Sequence, residues 1–199
     1  QAEDGIRDSW ASRGLGDVYK RQPILEPADL SVLKSDIHSH LIPAIDDGSK
    51  DLEDSISMIR RFKELGFTKI TTTPHVMSDF YKNTPEIILG GLKTVQQELE
   101  NQHIKIETSA AAEYYLDETL EEKIKNKELL TIGDNYVLFE LPFMSETPNL
   151  ASAIFELQTN GYQPILEHPE RYGYYYDRFE KYQELKDKGV FLQLNILSL

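Results

Sequence analysis

A unit of amphipathic helix, glycine and β-rich segment recurs along the chain, and it limits the possible folds more than any other feature. Over residues 51–65 the apolar side chains recur every three or four positions, which predicts a helix with one apolar face. Gly66 then ends the helix, and a run rich in threonine follows as a predicted strand. The same order recurs around Gly161 and Gly189. Strands that alternate with crossover helices predict a parallel sheet, either open and doubly wound or closed into a barrel.

The predicted elements lie between residues 35 and 195. The pattern predicts strands over residues 35–40, 68–73, 104–113, 136–140, 164–166 and 190–195. It predicts helices over about residues 51–65, 85–99, 118–126, 149–159 and 178–188. Residues 1–22 show no sustained periodicity, so we interpret them as a non-native or disordered leader ahead of a domain at residues 23–199.

Side chains that can bind metal ions stand where the predicted strands end. They are His38, His40, His75, Glu113, Glu140, His168 and Asn195. In a barrel of alternating strands and helices the C-terminal ends of the strands meet at one rim, so such residues converge there. An open sheet instead concentrates its site at a switch point, commonly with a glycine-rich phosphate loop, and the sequence has no such motif. The sequence therefore favours an α/β barrel.

The residue types at these strand ends predict a metal centre. In a strand, the spacing of His38 and His40 points both imidazoles to one face, where they can bind one ion or two neighbouring ions. Imidazole and carboxylate suit Mn, Fe or Zn, and the absence of cysteine excludes thiolate ligands and a thiolate nucleophile. Glu113 follows three alanines that leave room for an ion cluster, and its carboxylate can bridge two cations. A lone histidine is more often a packing residue, but four of the five histidines lie at strand ends, which favours metal binding.

Three further motifs have a structural interpretation beside the functional one. Glu140, at a strand end, is either a ligand or a partner that orients a histidine. Asp46 and Asp47 are predicted to form a turn and helix cap in preference to binding metal. The tyrosines over residues 172–176 could line an aromatic pocket, although a half-exposed packing surface is the simpler explanation.

The formal net charge of −13 excludes some classes of partner. An acidic surface repels nucleic acid and anionic membranes unless basic patches or bound cations intervene, so metal ions and cationic partners are favoured. No apolar run approaches the roughly 20 residues of a membrane-spanning helix. We therefore expect a cytoplasmic protein that neither inserts into membranes nor binds nucleic acid.

Four motifs, in this order and spacing, resemble those of the PHP (polymerase and histidinol phosphatase) superfamily. They are Asp36-Ile37-His38-Ser39-His40, Thr73-Pro74-His75, Ala112-Glu113-Tyr114-Tyr115 and His168-Pro169-Glu170-Arg171-Tyr172. The resemblance covers about residues 30–199 and points to the manganese-dependent bacterial tyrosine phosphatases of capsule and exopolysaccharide operons. It implies a distorted (β/α)7 TIM-like barrel with up to three metal ions, Mn²⁺ in preference to Zn²⁺ or Fe²⁺. It also implies phosphotyrosine on a partner tyrosine kinase as the substrate.

The resemblance assigns roles to individual residues. The metal ligands that it implies are His38, His40, His75, Glu113 and His168, with Glu113 as the bridging carboxylate. Arg171 matches the arginine that holds the phosphoryl group, so Glu113 and Arg171 are the implied catalytic residues, and Tyr172 joins Arg171 as a substrate contact.

The chain departs from the family pattern in three places. The late Asp-x-His motif is absent, which implies that a final βα unit is missing from this chain. Ala44 stands where relatives often carry glycine, and Glu167 stands where a small residue is usual.

The predicted reaction is hydrolysis of a phosphate monoester by attack of metal-bound hydroxide, with Arg171 neutralising the phosphoryl oxygens. Two alternatives stay open. One is a phosphatase for a small metabolite such as histidinol phosphate. The other is a non-catalytic regulatory barrel in which the metal is structural and the acidic face binds a kinase tail. An oligomer is compatible with the sequence.

Overall fold

The computed structural model describes residues 29–198, in which short parallel strands alternate with helices. The strands are β1 (Ser35–Asp36), β2 (Lys69–Thr72), β3 (His75–Val76), β4 (Glu107–Ala110), β5 (Glu113–Tyr115), β6 (Tyr136–Glu140), β7 (Gln163–Glu167) and β8 (Phe191–Gln193). The helices are α1 (Leu52–Glu64), α2 (Pro85–Asn101), α3 (Leu120–Asn126), α4 (Leu150–Thr159) and α5 (Phe179–Asp187). The predicted helices are confirmed, with bounds close to those expected. The predicted leader at residues 1–22 lies outside the described residues.

The structure divides one predicted strand in two and adds another short strand, which corrects the prediction from sequence. The second predicted strand, residues 68–73, is β2, and β3 follows it as a separate strand. The third predicted strand, residues 104–113, becomes β4 and β5. Pro74 lies between β2 and β3, and because proline has no N–H to donate, the regular ladder stops there. Hydrogen bonds from the Ala111 N–H to Thr72 O (2.9 Å) and from the Glu113 N–H to Pro74 O (3.1 Å) still join the two chain segments across the break.

The strands pair in parallel, as predicted, but they do not close. All strand pairs within residues 29–198 are parallel, in the orders β1-β2-β4 and β3-β5-β6-β7-β8. A barrel closes only when its first and last strands share a ladder. In the described part of the chain β1 and β8 share none, so the closed barrel is not confirmed. The structure shows an α/β fold with parallel sheets.

Two buried apolar clusters hold the helices against the strands. In the smaller cluster, Ile56 and Ile59 of α1 pack with Ile70 of β2 and Val95 of α2. In the larger one, residues 137–139 of β6 have no exposed surface, because this strand lies in the middle of its sheet. Burial on both faces is typical of parallel sheets. Polar side chains are therefore concentrated where the strands end.

The helices begin and end at residues that the sequence marks. Asp51 and Thr84 each accept a hydrogen bond from a backbone N–H in the first turn of α1 and α2. Gly66, Gly161 and Gly189 follow helix ends with positive φ angles of 91°, 89° and 77°, which glycine adopts most easily. Among the helices within residues 29–198, none has the length and apolarity that crossing a bilayer requires.

Helix α2 carries two adjacent glycines in different surroundings, which generates a test of this packing. A Cβ at Gly90 would meet no atom within 4 Å, whereas one at Gly91 would collide with the side chain of Ile42. Because glycine costs a helix about 1 kcal/mol relative to alanine, we expect Gly90→Ala to raise the free energy of unfolding by about that amount. We expect Gly91→Ala to lower it by about 1–3 kcal/mol, since Ile42 is buried and overpacking is costly. Urea denaturation measures both changes, and changes of the same sign would contradict the packing of Ile42 on α2.

Candidate metal centre

Histidines and carboxylates converge as the sequence predicts, although His75 and Glu113 begin the short strands β3 and β5 instead of ending a strand. His38 and His40 follow β1, His75 begins β3, and His168 follows directly after β7. The parallel register pairs His75 with Glu113, the first residue of β5. The structure thus brings together all five residues that the resemblance assigned to metal binding.

The Glu113 carboxylate lies at the centre of this cluster. It has no exposed surface, and its Oε2 atom lies 3.3 Å from His38 Nε2, 3.2 Å from His40 Nε2 and 3.4 Å from His75 Nδ1. Burial opposes ionisation, but hydrogen bonds from Glu167 and the neighbouring histidines hold the pKa of Glu113 well below its usual range. One ionised oxygen therefore faces three imidazole nitrogens, an arrangement suited to ligands that surround shared cations.

Asp46 sets the orientation of His40. Nδ1 of His40 lies 2.7 Å from Oδ2 of Asp46. Burial acts to raise the pKa of Asp46, but the hydrogen bond from His40 lowers it below its usual value. The carboxylate therefore accepts this hydrogen bond and the imidazole donates it. Asp46 also accepts hydrogen bonds from the backbone N–H groups of His75 (3.1 Å) and Gly48 (3.0 Å). Nε2 of His40 is thereby directed at Glu113, as in metal-binding histidines that a second carboxylate orients.

The acidic turn, which contains Asp46 and Asp47, differs from the prediction in one respect. The turn itself is present, but Asp51 caps α1 instead of Asp46 or Asp47. Asp47 Oδ1 lies 3.9 Å from His40 Nδ1 and 3.5 Å from His75 Nε2, so its carboxylate is available as a ligand. The sequence does not reveal this role, because the turn returns to the histidines only through tertiary contacts.

His38 is held at both of its ring nitrogens. Nδ1 lies 3.0 Å from Gln193 Oε1, and Nε2 lies 3.0 Å from Glu167 Oε1. Gln193 belongs to β8, so a side chain from the last described strand supports a histidine that follows the first. The prediction placed Asn195 at the end of this strand, but β8 ends at Gln193, and the N–H of Asn195 donates to Glu170 at 3.2 Å.

His168 lies between carboxylates and aromatic rings. Its Nε2 is 2.7 Å from Glu167 Oε1 and 3.9 Å from Glu140 Oε2, and its ring centroid is 5.4 Å from that of Phe143 and 5.5 Å from that of Tyr172. Burial lowers the pKa of His168 to about 4, so the imidazole is neutral near pH 7 and able to bind metal. Its φ of 30° is left-handed, a strained value for a residue other than glycine.

Tyr172 packs against His168 and is buried, which does not favour its predicted contact with substrate. The side chain has no exposed surface, and its hydroxyl accepts a hydrogen bond from the Leu141 N–H at 2.9 Å. Because the ring is enclosed against His168, a substrate cannot reach it. The alternative interpretation of the tyrosine run as a packing surface holds for Tyr172 and Tyr175, but both are buried, at 0% and 1% exposed, and not half-exposed as predicted.

Arg171 lies at the rim of the cluster. It ends the 3₁₀ turn Pro169–Arg171, its side chain is exposed, and its Nε lies 3.4 Å from Ser198 Oγ. Burial and the nearby Glu113 raise the pKa of Glu167 to about 12, and the positive charge of Arg171 partly offsets this shift. The guanidinium is therefore within electrostatic reach of the buried carboxylates.

The buried charges and unpaired atoms fit divalent cations. Glu113, Glu140, Glu167 and His168 offer ligand atoms within 4.8 Å of one another, and all four are buried. Burial also raises the pKa of Glu140, because adjacent buried carboxylates cannot all ionise without compensating charge. Glu113 Oε1, Glu167 Oε2 and the Nδ1 atoms of His75 and His168 are buried without hydrogen-bond partners. Buried polar atoms normally have partners, and bound cations would supply them.

Three overlapping sets of ligand atoms are close enough to hold an ion. They are His38, His40 and Glu113; His40, Asp47 and His75; and Glu113, Glu140, Glu167 and His168. Nitrogen and oxygen donors without cysteine suit Mn²⁺, Fe²⁺ or Zn²⁺. Asp47, Glu140 and Glu167 thus lie in these sets beside the five predicted ligands. Glu140 lies 3.3 Å from His75 Nδ1, which fits either of the two roles considered for it.

Comparison with known proteins gives consistent results. Residues 34–199 match the family described as capsular polysaccharide synthesis, CpsB/CapC. The chain is 32% identical over 166 residues to the tyrosine-protein phosphatase YwqE of Bacillus subtilis, covering 82% of this chain and 65% of that protein. It is 31% identical to CapC of Staphylococcus aureus, with the same coverage, and 27% identical to the tyrosine-protein phosphatase CpsB of Streptococcus agalactiae, covering 80% of this chain and 66% of that protein.

A solved structure agrees with the fold. It comes from work on YwqE of Bacillus subtilis and CpsB of Streptococcus pneumoniae, described as metal-dependent tyrosine phosphatases. The TM-score is 0.75 at 30% sequence identity, and the match covers 80% of this chain and 65% of that one. The chain thus spans about two thirds of the length of the relatives that it matches.

Gly48 permits a test of the metal centre that changes no ligand. A Cβ at this position would collide with Cβ and the carbonyl oxygen of His40. We expect Gly48→Ala to displace His40 and to weaken Mn²⁺ binding about 10- to 100-fold, the usual effect of disturbing a residue that orients a ligand. Isothermal titration calorimetry measures the affinity, with Gly90→Ala as the matched control. An unchanged affinity in Gly48→Ala would show that His40 is not a ligand.

Proposed function

The chain belongs to the CpsB/CapC family of capsular polysaccharide synthesis proteins, and we propose that it hydrolyses phosphotyrosine on a protein with the help of divalent metal ions. One observation carries the proposal: the buried Glu113 carboxylate faces ring nitrogens of three histidines at the strand ends. The names of the matched YwqE and CpsB proteins as tyrosine-protein phosphatases support the same reaction here.

The histidines and carboxylates of the cluster would hold up to three ions, for which we propose Mn²⁺. Bound divalent cations neutralise phosphate charge and lower the pKa of water, which is the chemistry that hydrolysis of a phosphate monoester needs. Asp46 and Gln193 keep the Nε2 atoms of His40 and His38 directed into the cluster, so the ligands are ordered before an ion arrives. Such prior ordering lowers the cost of binding.

Arg171 is the proposed phosphate-binding residue. A guanidinium can donate two parallel hydrogen bonds to the oxygens of one phosphoryl group. The exposed contact of Arg171 with Ser198 is long, at 3.4 Å, and a phosphate would readily replace it. Since the chain carries a net charge of −13, a positive group at the rim also offsets the repulsion that a phosphate dianion meets on approach.

Aromatic rings beside two of the ligands favour an aryl phosphate. Tyr81 stacks on His75 and Phe143 stacks on His168, each with ring centroids 5.4 Å apart. Phe143 is 51% exposed and can pack against a substrate ring. Phosphotyrosine offers such a ring, and its phenol leaves more easily than an alkyl alcohol because the tyrosine hydroxyl has a pKa near 10. Since the imidazole of histidinol phosphate can also stack, the better leaving group is what favours phosphotyrosine over histidinol phosphate.

The biological setting is part of the proposal. We propose a bacterial tyrosine kinase of a capsule or exopolysaccharide pathway as the phosphorylated partner, and the cytoplasm as the location. A distorted (β/α)7 barrel is proposed for the family fold to which these parallel sheets belong. The family description supports the capsule pathway, and the cluster of ligand-type side chains that follow the strands supports the barrel.

Turnover of two substrates tests the proposed function. With Mn²⁺ present, we expect the protein to hydrolyse a phosphotyrosine peptide faster than histidinol phosphate, and EDTA to abolish both activities. His40→Ala should reduce kcat/KM at least 100-fold, because it removes a ligand beside Glu113. His103→Ala is the matched control, since His103 is exposed and outside the three ligand sets. Activity that survives both EDTA and His40→Ala would refute the proposal.

Phe143 allows a test of aryl recognition. We expect Phe143→Ala to raise KM for the phosphotyrosine peptide about 3- to 10-fold, the value of one aromatic contact, while KM for an alkyl phosphate stays within twofold. Phe155→Ala is the control, because Phe155 is 64% exposed on α4 and in none of the contacts of the site. Equal increases for both substrates would show that Phe143 acts only by supporting His168.

A further inference from the structure

Glu167 lies in the interior of the cluster, although it is not among the five metal ligands that the family resemblance implies. It is the last residue of β7, directly precedes His168, and is 1% exposed. Its Oε1 atom lies 2.7 Å from His168 Nε2 and 3.0 Å from His38 Nε2. Two imidazole nitrogens, from the segments that follow β1 and β7, thus point at one carboxylate oxygen.

The position of Glu167 is set by strand register. Residues Glu167 and Gln193 are paired neighbours on β7 and β8. Gln193 contacts Nδ1 of His38, and Glu167 contacts Nε2 of the same ring. Side chains from two adjacent strands therefore contact the two ring nitrogens of one histidine, and the backbone pairing places Glu167 and Gln193 side by side for this.

Each of the three buried glutamates contacts a different set of histidines. Glu113 lies beside His38, His40 and His75, and Glu140 lies beside His75 and His168. Glu167 is the carboxylate that contacts both His38 and His168, so it connects the two ends of the histidine array.

Several atoms around Glu167 are buried without hydrogen-bond partners. Glu167 Oε2, Glu113 Oε1 and His168 Nδ1 belong to this group. Oε2 of Glu167 in particular has no proton donor to satisfy it, while Oε1 already faces two imidazoles. A divalent cation would satisfy the carboxylate, since one oxygen or both can bind the same ion.

We propose that Glu167 is a metal ligand that, together with Glu113, Glu140 and His168, holds one divalent cation of the centre. This inference rests on the metal dependence in the proposed function and adds to it a ligand supplied by this chain's own strand β7. It assigns one ion to the β7 end of the cluster, separate from the ion between His40, Asp47 and His75. Removing the Glu167 carboxylate should therefore cost one ion and leave the other two ligand sets intact.

Metal counting tests the assignment without relying on activity. The protein is dialysed to equilibrium against Mn²⁺, and the bound ions per chain are measured by mass spectrometry of the metal. We expect Glu167→Gln to bind one ion fewer than the unaltered protein, or to bind its last ion at least 10-fold more weakly. Glu180→Gln, which alters an exposed carboxylate on α5, should bind as the unaltered protein does. An unchanged count and unchanged affinity in Glu167→Gln would overturn the inference.

Two further measurements separate the possible failures. Circular dichroism of the metal-free variants reports whether each one folds. If Glu167→Gln is unfolded, the number of bound ions is measured in Glu167→Ala instead, because that variant buries no amide. An unaltered protein that hydrolyses phosphotyrosine peptide while Glu167→Gln keeps its full ion count would overturn this inference alone. A protein that loses an ion in Glu167→Gln but hydrolyses no phosphate monoester would refute only the proposed function.

Discussion

The buried Glu113 carboxylate is the constraint on which the rest of the site depends. An ionised group without access to water must be compensated, and here three imidazole nitrogens lie within 3.4 Å of one oxygen. Those imidazoles can face Glu113 only because their other contacts are fixed, His40 by Asp46 and His38 by Gln193. The acidic turn and strand β8 therefore both hold histidines in place around the buried Glu113 carboxylate.

The need to compensate buried carboxylates also explains how an acidic chain could bind an anionic substrate. Buried carboxylates at Glu113, Glu140 and Glu167 outnumber the charges that the enclosed site can stabilise, as the raised pKa values of Glu140 and Glu167 indicate. Cations would remove this imbalance and reverse the local sign of charge. A chain of net charge −13 could then bind a phosphate group where its most crowded carboxylates lie.

Residue pattern alone predicted much of the fold and part of the site. The helices are present because each has an apolar stripe, and His38, His40, His75, Glu113 and His168 were found because they stand at strand ends. The pattern did not show that a separate strand, β3, follows Pro74, nor that Tyr172 is enclosed, since both depend on what packs beside them. Asp47 was predicted to belong to a turn and helix cap, and Gln193 and Glu167 were not predicted at the site, because their contacts with His75 and His38 join residues far apart in the chain.

The sequence by itself determined the alternation of strands and helices, the parallel pairing and the kind of ligand at each strand end. Local periodicity and side-chain chemistry suffice for these properties, because they are carried by residues close together in the chain. Only the tertiary structure decided which carboxylates face which imidazoles, that β1 and β8 share no ladder within residues 29–198, and that Glu167 lies between His38 and His168. These outcomes depend on strand register and on burial, which arise when distant segments pack together and exclude water.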